Sequence, residues 1–159
     1  MKKITAELLD EVTQKALESP RKRMNHNFHE DLGADLQRLL NAMEPYTYIR
    51  PHRHADPDRE ELFVVLRGTL LAIQFDDEGE IIDQLVLSAE EGNYGVEIPP
   101  RTYHTVISME TGSVAFEVKN GPFIPKTEGT SAPWAPEEGT PEAEIYVREL
   151  VKRANSISQ

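Results

Sequence analysis

Residues 61–88 read ELFVVLRGTLLAIQFDDEGEIIDQLVLS and contain three dense aliphatic runs separated by turn residues. The runs Leu62 to Leu66, Thr69 to Phe75 and Ile81 to Leu87 are each typical of a buried strand. The residues from Asp76 to Gly79 form a hairpin turn between the last two runs, and Gly79 stands where a positive φ is needed. This part of the chain therefore predicts adjacent antiparallel strands.

Short strands continue on both sides of this hairpin. Tyr46 to Ile49 predicts a strand upstream, and Val96 to Ile98, Thr102 to Ile107 and Ser113 to Val118 follow downstream at short intervals. Seven or so strands with turns about every 8–12 residues indicate an antiparallel sandwich or barrel. Leu36 to Met43 is ambiguous, because the helical period of its apolar residues favours a short helix.

The two ends of the chain differ from this β-rich middle. Thr5 to Ser19 predicts an amphipathic helix that Thr5 caps. After Asn120 the chain becomes rich in proline, and we expect Trp134 to hold this extended segment against the surface. Glu142 to Ala154 predicts a closing helix. We expect an N-terminal helix and arm in residues 1–45, a barrel core in residues 46–120 and a C-terminal extension in residues 121–159.

Length and composition exclude several classes of protein. The 159 residues fit one domain, and 28 acidic against 17 basic residues give a net charge of −11. A negative field argues against nucleic-acid binding, which depends on neutralising phosphates. No cysteine is present, so thiol catalysis and thiolate metal sites are excluded. No apolar run approaches the roughly 20 residues of a membrane span, and no signal peptide is recognisable, so we expect a cytoplasmic protein.

The concentrated chemistry lies in two short segments. His52 and His54 share one face of an extended backbone, so two imidazoles can bind one metal ion. Glu61 opens the next strand, and His104 stands at the head of a later one. Three imidazoles and one carboxylate suit a single divalent ion of Fe, Mn, Zn, Ni or Co.

These residues resemble the two sequence motifs of the cupin family. In the first motif a His-x-His pair is followed by Glu and, after six residues, by Gly, which matches His52, His54, Glu61 and Gly68. In the second motif a Pro precedes a His by five positions, which matches Pro99 and His104. Glu60 is an alternative carboxylate ligand, and the spacing to Gly68 favours Glu61. The resemblance implies an antiparallel β-barrel of the jelly-roll type and a metal site at these four residues.

A wider part of the chain resembles the WbuC-type cupin-fold metalloproteins, which are encoded in O-antigen polysaccharide clusters and elsewhere. The segments that carry the resemblance are Pro20 to Asn25, Asn41 to Pro45, Arg50 to His54, Glu61 to Gly68 and Ala132 to Pro136. It implies a mainly β cupin-like jelly roll with an N-terminal helix and a Pro-rich C-terminal extension. It also implies that Leu36 to Met43 is a strand. It does not specify an activity. Because cupins often pair as dimers, the resemblance to the cupin family implies a homodimer.

Several polar residues are candidates for binding a small anionic or sugar-like ligand. Arg50 and Tyr48 have the strand parity of His52, and Arg67 has the parity of Glu61, so all three are expected to face the barrel interior. The two arginines are either clamps for an anion or members of structural ion pairs. The arm from Arg21 to Asn25 is the other positive feature, and we expect Arg23 and Asn25 to meet the ligand.

Three function classes fit these features. The first is a metal-dependent enzyme, either an isomerase or epimerase of a sugar derivative or a non-haem dioxygenase. The second is a metal-dependent binding or sensory module without turnover. In the third, the metal is purely structural. A fold alone does not choose between reactions, because the same barrel supports many.

Overall fold

The computed structural model of the chain describes residues 1–125 and 130–157. It is mainly β, with two antiparallel sheets that face one another. The strands of the described residues are β1 (Arg23–Asn27), β2 (Leu36–Met43), β3 (Glu61–Arg67), β4 (Thr69–Phe75), β5 (Ile81–Ser88), β6 (Gly95–Ile98), β7 (Tyr103–Ser108) and β8 (Ser113–Asn120). One sheet has the strand order β1-β2-β8-β3-β6, and the other has the order β5-β4-β7.

The hydrophobic core forms three layers, because a helix covers the outer face of each sheet. The layer between the sheets consists of Met43, Phe63, Val65, Leu70, Ala72, Leu87, Ile98, Val106 and Ala115. Helix α1 (Ala6–Glu18) buries Val12 and Ala16 against Leu40 and Val114 on the five-stranded sheet. Helix α2 (Pro141–Ile157) packs on the other sheet, where the outer cluster includes Ile73, Phe75, Ile107, Val147, Leu150 and Val151.

The helix predicted from Thr5 is confirmed as α1, and its start follows from local chemistry. The Thr5 side chain accepts a hydrogen bond from the Leu8 backbone nitrogen at 3.4 Å, and Glu7 lies in the first turn. Such a cap satisfies an amide that the helix leaves without a partner. The predicted C-terminal helix is also confirmed, as α2.

Two glycines permit close approaches that shape the barrel. Gly68 has a φ of +75° in the β3–β4 connection, and a Cβ atom there would lie 2.9 Å from the Cα of Ser113. Gly79 has a φ of +91° in the β4–β5 turn, and a Cβ atom there would lie 2.8 Å from the Trp134 ring. Trp134 also packs on Phe75, with 5.1 Å between ring centroids, so it holds the C-terminal segment on this hairpin as expected.

The ambiguous segment Leu36 to Met43 is the strand β2, so the helix that its period favours is not formed. Both faces of β2 are buried, with Leu40 against α1 and Met43 between the sheets. Apolar residues at both strand parities imitate the spacing of a helix face, which explains the wrong interpretation.

The strand predicted for Tyr46 to Ile49 is wrong. Tyr46 has a φ of +60°, and the Thr47 amide donates to the Glu44 carbonyl at 3.1 Å, so the chain turns here. Residues 44–60 form a loop in which His52 makes an isolated bridge with His104.

The remaining predicted strands are confirmed, and the described residues of the Pro-rich segment, 121–125 and 130–140, form no helix or strand before α2 begins. Residues 126–129 of that segment and residues 158–159 lie outside the described residues. Within the part of the chain that the structure describes, neither helix is long and apolar enough to span a membrane.

Candidate metal centre

Four side chains from three parts of the fold converge at one end of the barrel. His52 and His54 come from the loop before β3, Glu61 is the first residue of β3, and His104 lies on β7. One ligand atom from each residue lies within 4.8 Å of those of the other three. The bridge between His52 and His104, with backbone N–O distances of 3.1 and 2.9 Å, ties the loop to the barrel.

Backbone carbonyls orient two of the imidazoles. The Nδ1 of His52 lies 3.1 Å from the Arg50 carbonyl, and the Nδ1 of His104 lies 2.9 Å from the Thr102 carbonyl. Because a carbonyl only accepts hydrogen bonds, each Nδ1 carries a proton, which leaves the Nε2 atom of each ring as the one that can bind a metal. Bonds of this kind fix the tautomer and ring orientation of histidines that bind metals.

The Glu61 carboxylate is shared between the histidines and a buried lysine. Its Oε2 lies 2.9 Å from the Nε2 of His104 and 3.1 Å from the Nε2 of His54. Its Oε1 accepts a hydrogen bond from the Nζ of Lys119 at 2.8 Å. Burial raises the pKa of Glu61. The Lys119 ammonium and the contacts with His104 and His54 outweigh burial and hold this pKa well below its usual value. Glu61 is therefore a carboxylate that presents one oxygen to the histidines.

A second buried carboxylate completes this network. Lys119 also donates to Glu117 at 2.6 Å, and the amide of Asn41 donates to the other oxygen of Glu117 at 3.0 Å. Burial raises the pKa of Glu117, and the charge of Glu61 adds to this effect. Burial lowers the pKa of Lys119, but the two carboxylates outweigh it and raise that pKa. The Lys119 ammonium is thus held as a cation between the carboxyl groups of Glu61 and Glu117.

A cavity of about 380 Å³ opens beside the four converging residues and reaches His52, Glu61 and His104. Its apolar wall consists of Ile49, Phe63, Val106 and Phe123. The charged side chains that line it are three cations and three carboxylates, namely Arg21, Arg23, Lys119, Glu61, Glu117 and Glu138. The cavity has the size and the mixed lining of a small-molecule site.

The N-terminal arm lies at this cavity. Arg23 and Asn25, both expected to meet a ligand, belong to β1 and line the cavity. The Arg23 guanidinium donates to the Tyr48 carbonyl at 2.7 Å and to Glu138 at 2.5 Å. The arm therefore forms part of the cavity wall and is tied to the C-terminal segment.

The predicted inward orientation of Arg50 and Tyr48 is wrong, because their segment is a loop and strand parity does not apply to it. The Arg50 guanidinium donates to the Ala132 carbonyl at 3.0 Å and lies 4.0 Å from Glu137. The Tyr48 hydroxyl donates to the Pro136 carbonyl at 2.8 Å, and burial raises the pKa of this phenol. Both side chains bind the C-terminal segment instead of the cavity.

The predicted inward orientation of Arg67 is also wrong. The pairing of β3 with β8 shifts between Val65 and Arg67, so Arg67 pairs with Val114, whose side chain faces α1. Its guanidinium bonds to Asp10 at 2.5 Å and to Thr13 at 3.0 Å, both on α1. Arg67 is therefore a member of a structural ion pair, which was the alternative to an anion clamp.

Lys119 and Glu117 were not identified from the sequence, although a signal was present. They lie two residues apart in β8, with the parity of the buried Ala115. Two charged residues at the inward positions of a strand are costly unless they are paired, which marks them as part of a site.

A family model described as "Domain of unknown function (DUF6016)" matches residues 4–87. A search of the curated proteins finds no match.

Solved structures with the same fold are similar to this chain at low sequence identity. TT1209 from Thermus thermophilus is 13% identical with a TM-score of 0.53, over 76% of this chain and 97% of that chain. CapF with the inhibitor 3-isopropenyl-tropolone is 20% identical with a TM-score of 0.52, over 64% of this chain and 29% of that chain. Oxalate oxidase in complex with the substrate analogue glycolate is 16% identical with a TM-score of 0.50, over 66% of this chain and 54% of that chain. The chain has the jelly-roll fold of the cupins, with a histidine and glutamate group that could hold a metal ion.

Proposed function

The chain belongs to DUF6016, a family described as a domain of unknown function, and we propose that it is a metal-dependent enzyme acting on a small anionic or sugar-derived metabolite. The metal ligands are His52, His54, Glu61 and His104, whose ligand atoms lie within 4.8 Å of one another. This cluster at the edge of a cavity of about 380 Å³ is the observation that carries the proposal.

The donor set fits one divalent ion. Three imidazole nitrogens and one carboxylate oxygen suit Fe, Mn, Zn, Ni or Co. When bound, such an ion supplies Lewis-acid chemistry at the positions that the protein leaves open. The Arg50 and Thr102 carbonyls hold two of the imidazoles, and Lys119 holds the Glu61 oxygen that faces away from the histidines. These contacts orient the ligands before the ion binds.

The charges around the cavity favour an anionic ligand. The three cations and three carboxylates of its wall cancel formally, so a divalent ion leaves the wall with a positive charge. An oxyanion can satisfy both this charge and the arginines of the arm. Isomerisation or epimerisation of a sugar derivative and dioxygen-dependent oxidation both fit such a centre.

A second candidate function is ligand binding without turnover, as in a sensory module. Lys119 favours it, because this lysine lies between Glu61 and Glu117 and serves as a structural cation. A lysine held in this way does not act as a general base. Turnover thus requires another group or a water as its base, whereas binding requires none.

The resemblance to WbuC-type proteins supports a more specific context. We infer that the protein works in the cytoplasm as a homodimer, in the biosynthesis of surface polysaccharide. The half-exposed Leu62 and Leu66 on the outer face of β3 offer apolar surface to a second subunit.

We expect small anions to bind the metal-loaded protein at least about tenfold more tightly than the metal-stripped protein, since a charged contact contributes about 1.5–3 kcal/mol. Calorimetric titration with citrate, a keto acid and a sugar phosphate measures this difference, and a neutral sugar is the control. Proton NMR spectroscopy of the same mixtures over time separates the two functions, because only an enzyme changes the ligand, and an isomer of equal mass still gives a different spectrum. Equal binding of the neutral sugar would refute the anionic ligand class.

We expect Glu61→Gln to lower the metal content of the purified protein and Glu60→Gln to leave it unchanged. Glu61 is buried and contacts His54 and His104, whereas Glu60 is exposed. Adjacent residues entering a strand face opposite sides, so only one of the two reaches the cluster. Elemental analysis of both variants after identical purification is the measurement. The opposite ranking would mean that Glu60 is the ligand.

A further inference from the structure

A second, smaller cavity of about 50 Å³ lies beside His54. It shares Lys119 and Phe123 with the larger cavity, so the two spaces adjoin. Its basic lining residues are Arg53, His54, Arg59 and Lys119, and none of the described residues that line it is acidic. In a chain with a net charge of −11, four basic side chains around so small a space call for an explanation.

Two of these basic residues, Lys119 and Arg53, have acidic partners. Lys119 bonds to Glu61 and Glu117, and Arg53 forms an ion pair with Asp77 at 3.1 Å. Arg53 also lies over the Tyr103 ring, with its guanidinium carbon 4.5 Å from the ring centroid. These contacts supply a counter-charge to both residues, although the Nε atom of Arg53 is also buried without a hydrogen-bond partner among the described residues.

Arg59 differs from its neighbours. Its side chain is buried, with a relative exposure of 7%, and it lines the small cavity. The Nε and Nη2 atoms of its guanidinium are buried and have no hydrogen-bond partner within residues 1–125 and 130–157. An arginine remains charged in any protein environment, and leaving it buried without a counter-charge is costly. The position of Arg59 therefore indicates a negative group that residues 1–125 and 130–157 do not supply.

We propose that the small cavity binds a compact oxyanion, the carboxylate or phosphate group of a metabolite, through the guanidinium of Arg59. The planar fork of a guanidinium matches the paired oxygens of either group. One water occupies about 10–15 Å³ of such a cavity, so about 50 Å³ holds a group of a few non-hydrogen atoms. The space thus suits the charged end of a molecule and excludes a whole sugar.

This anion site does not depend on the metal proposal. The unpartnered atoms belong to Arg59, which is outside the metal cluster, so an anion can bind there whether or not the ion is present. The site adjoins the metal cluster because His54 belongs to both. A molecule with a charged end at Arg59 would therefore lie next to the proposed centre.

Calorimetric titration of the full chain loaded with Co(II), using acetate in one series and inorganic phosphate in another, tests the proposal. The variants are Arg59→Met, Arg59→Lys and Arg153→Gln. Arg153 forms a half-exposed ion pair with Glu80 at 2.8 Å on the distant helix α2, and its substitution removes the same charge. The visible absorption of Co(II) separates the two sites, because it changes when an anion binds the ion and not when one binds Arg59.

We expect at least one of the two anions to bind with an affinity that Arg59→Met lowers about tenfold or more, the effect of losing a charged hydrogen bond. Arg59→Lys should give an intermediate value, and Arg153→Gln should stay within about twofold, because exposed ion pairs contribute little. The anion series that shows the loss identifies carboxylate or phosphate as the preferred group. If Arg59→Met binds both anions as the unchanged chain does, if neither anion binds the unchanged chain, or if a crystal structure shows Arg59 paired with a carboxylate of the chain, the proposal is overturned.

Discussion

Replacing His52 and His54 together with alanine should abolish metal binding while the barrel still folds. The double variant removes two of the four ligand groups and leaves Glu61 and His104, which are too few to hold a divalent ion tightly. Removing a single residue that hydrogen-bonds to a metal ligand already lowers metal affinity about 10–100-fold. We therefore expect the removal of two ligands to lower metal affinity more than about 1,000-fold. Elemental analysis of protein purified with one equivalent of metal measures the loss.

The fold should survive because both histidines lie in the loop before β3 and neither belongs to the hydrophobic core. Circular dichroism checks this expectation. His26→Ala is the matched control, because His26 is absent from the cluster and packs on Phe28 with 5.1 Å between ring centroids. Full metal retention in the double variant, or equal loss in the control, would contradict the assignment of the ligands.

The second large effect is expected at Lys119. Lys119→Met leaves Glu61 and Glu117 buried without the cation between them, and breaking a buried ion pair from one side costs about 3–5 kcal/mol. We expect a loss of this size in the free energy of unfolding of the metal-stripped protein. The loss should be smaller in the metal-loaded protein, since the ion then compensates the charge of Glu61. Urea unfolding of both forms provides the values.

Two further variants show whether charge is the cause. Adding Glu117→Gln to Lys119→Met removes one of the two carboxylates that the first substitution leaves without a cation. The double variant should recover part of the lost stability. Lys15→Met is the control, because Lys15 pairs with Glu11 on the exposed face of α1, where such pairs contribute about 0.3–0.5 kcal/mol. If Lys119→Met were no more destabilising than Lys15→Met, the network of Glu61, Lys119 and Glu117 would not be structural.

The sequence predicted most strands well, because turn residues and dense aliphatic runs are local signals. The hairpin around Gly79 and the strands on either side of it are formed as expected. Leu36 to Met43 was ambiguous because a strand buried on both faces lacks the alternation that separates it from a helix. Strand β1 showed no strand pattern in the sequence, since four of its five side chains are polar and it is held by pairing with β2.

The ligand cluster was predictable and its surroundings were not. The spacing of the cupin motifs predicts one metal site formed by four residues, and their side chains do converge. These residues are His52, His54, Glu61 and His104. The parity rule failed for Arg50 because its segment is a loop, and for Arg67 because β3 shifts its register after Val65. Neither a turn at Tyr46 nor a shift in pairing leaves a clear mark in the sequence.

Two features emerged only from the fold. Lys119 meets Glu61 because β8 pairs with β3, and this pairing joins residues 58 positions apart in the chain. Arg59 is ordinary in the sequence and becomes notable only when its burial and its missing partners are known. Contacts between distant strands and buried charges without partners are properties of the tertiary structure.

The central claim is that these four side chains bind one metal ion, and anomalous diffraction at the absorption edge of the bound metal tests it most directly. Crystals should be grown from full-length protein carrying one equivalent of metal. We predict one strong peak at about 2.0–2.2 Å from the Nε2 atoms of His52, His54 and His104 and from the Oε2 atom of Glu61. No peak at this cluster, or a peak held by other residues, would contradict the claim.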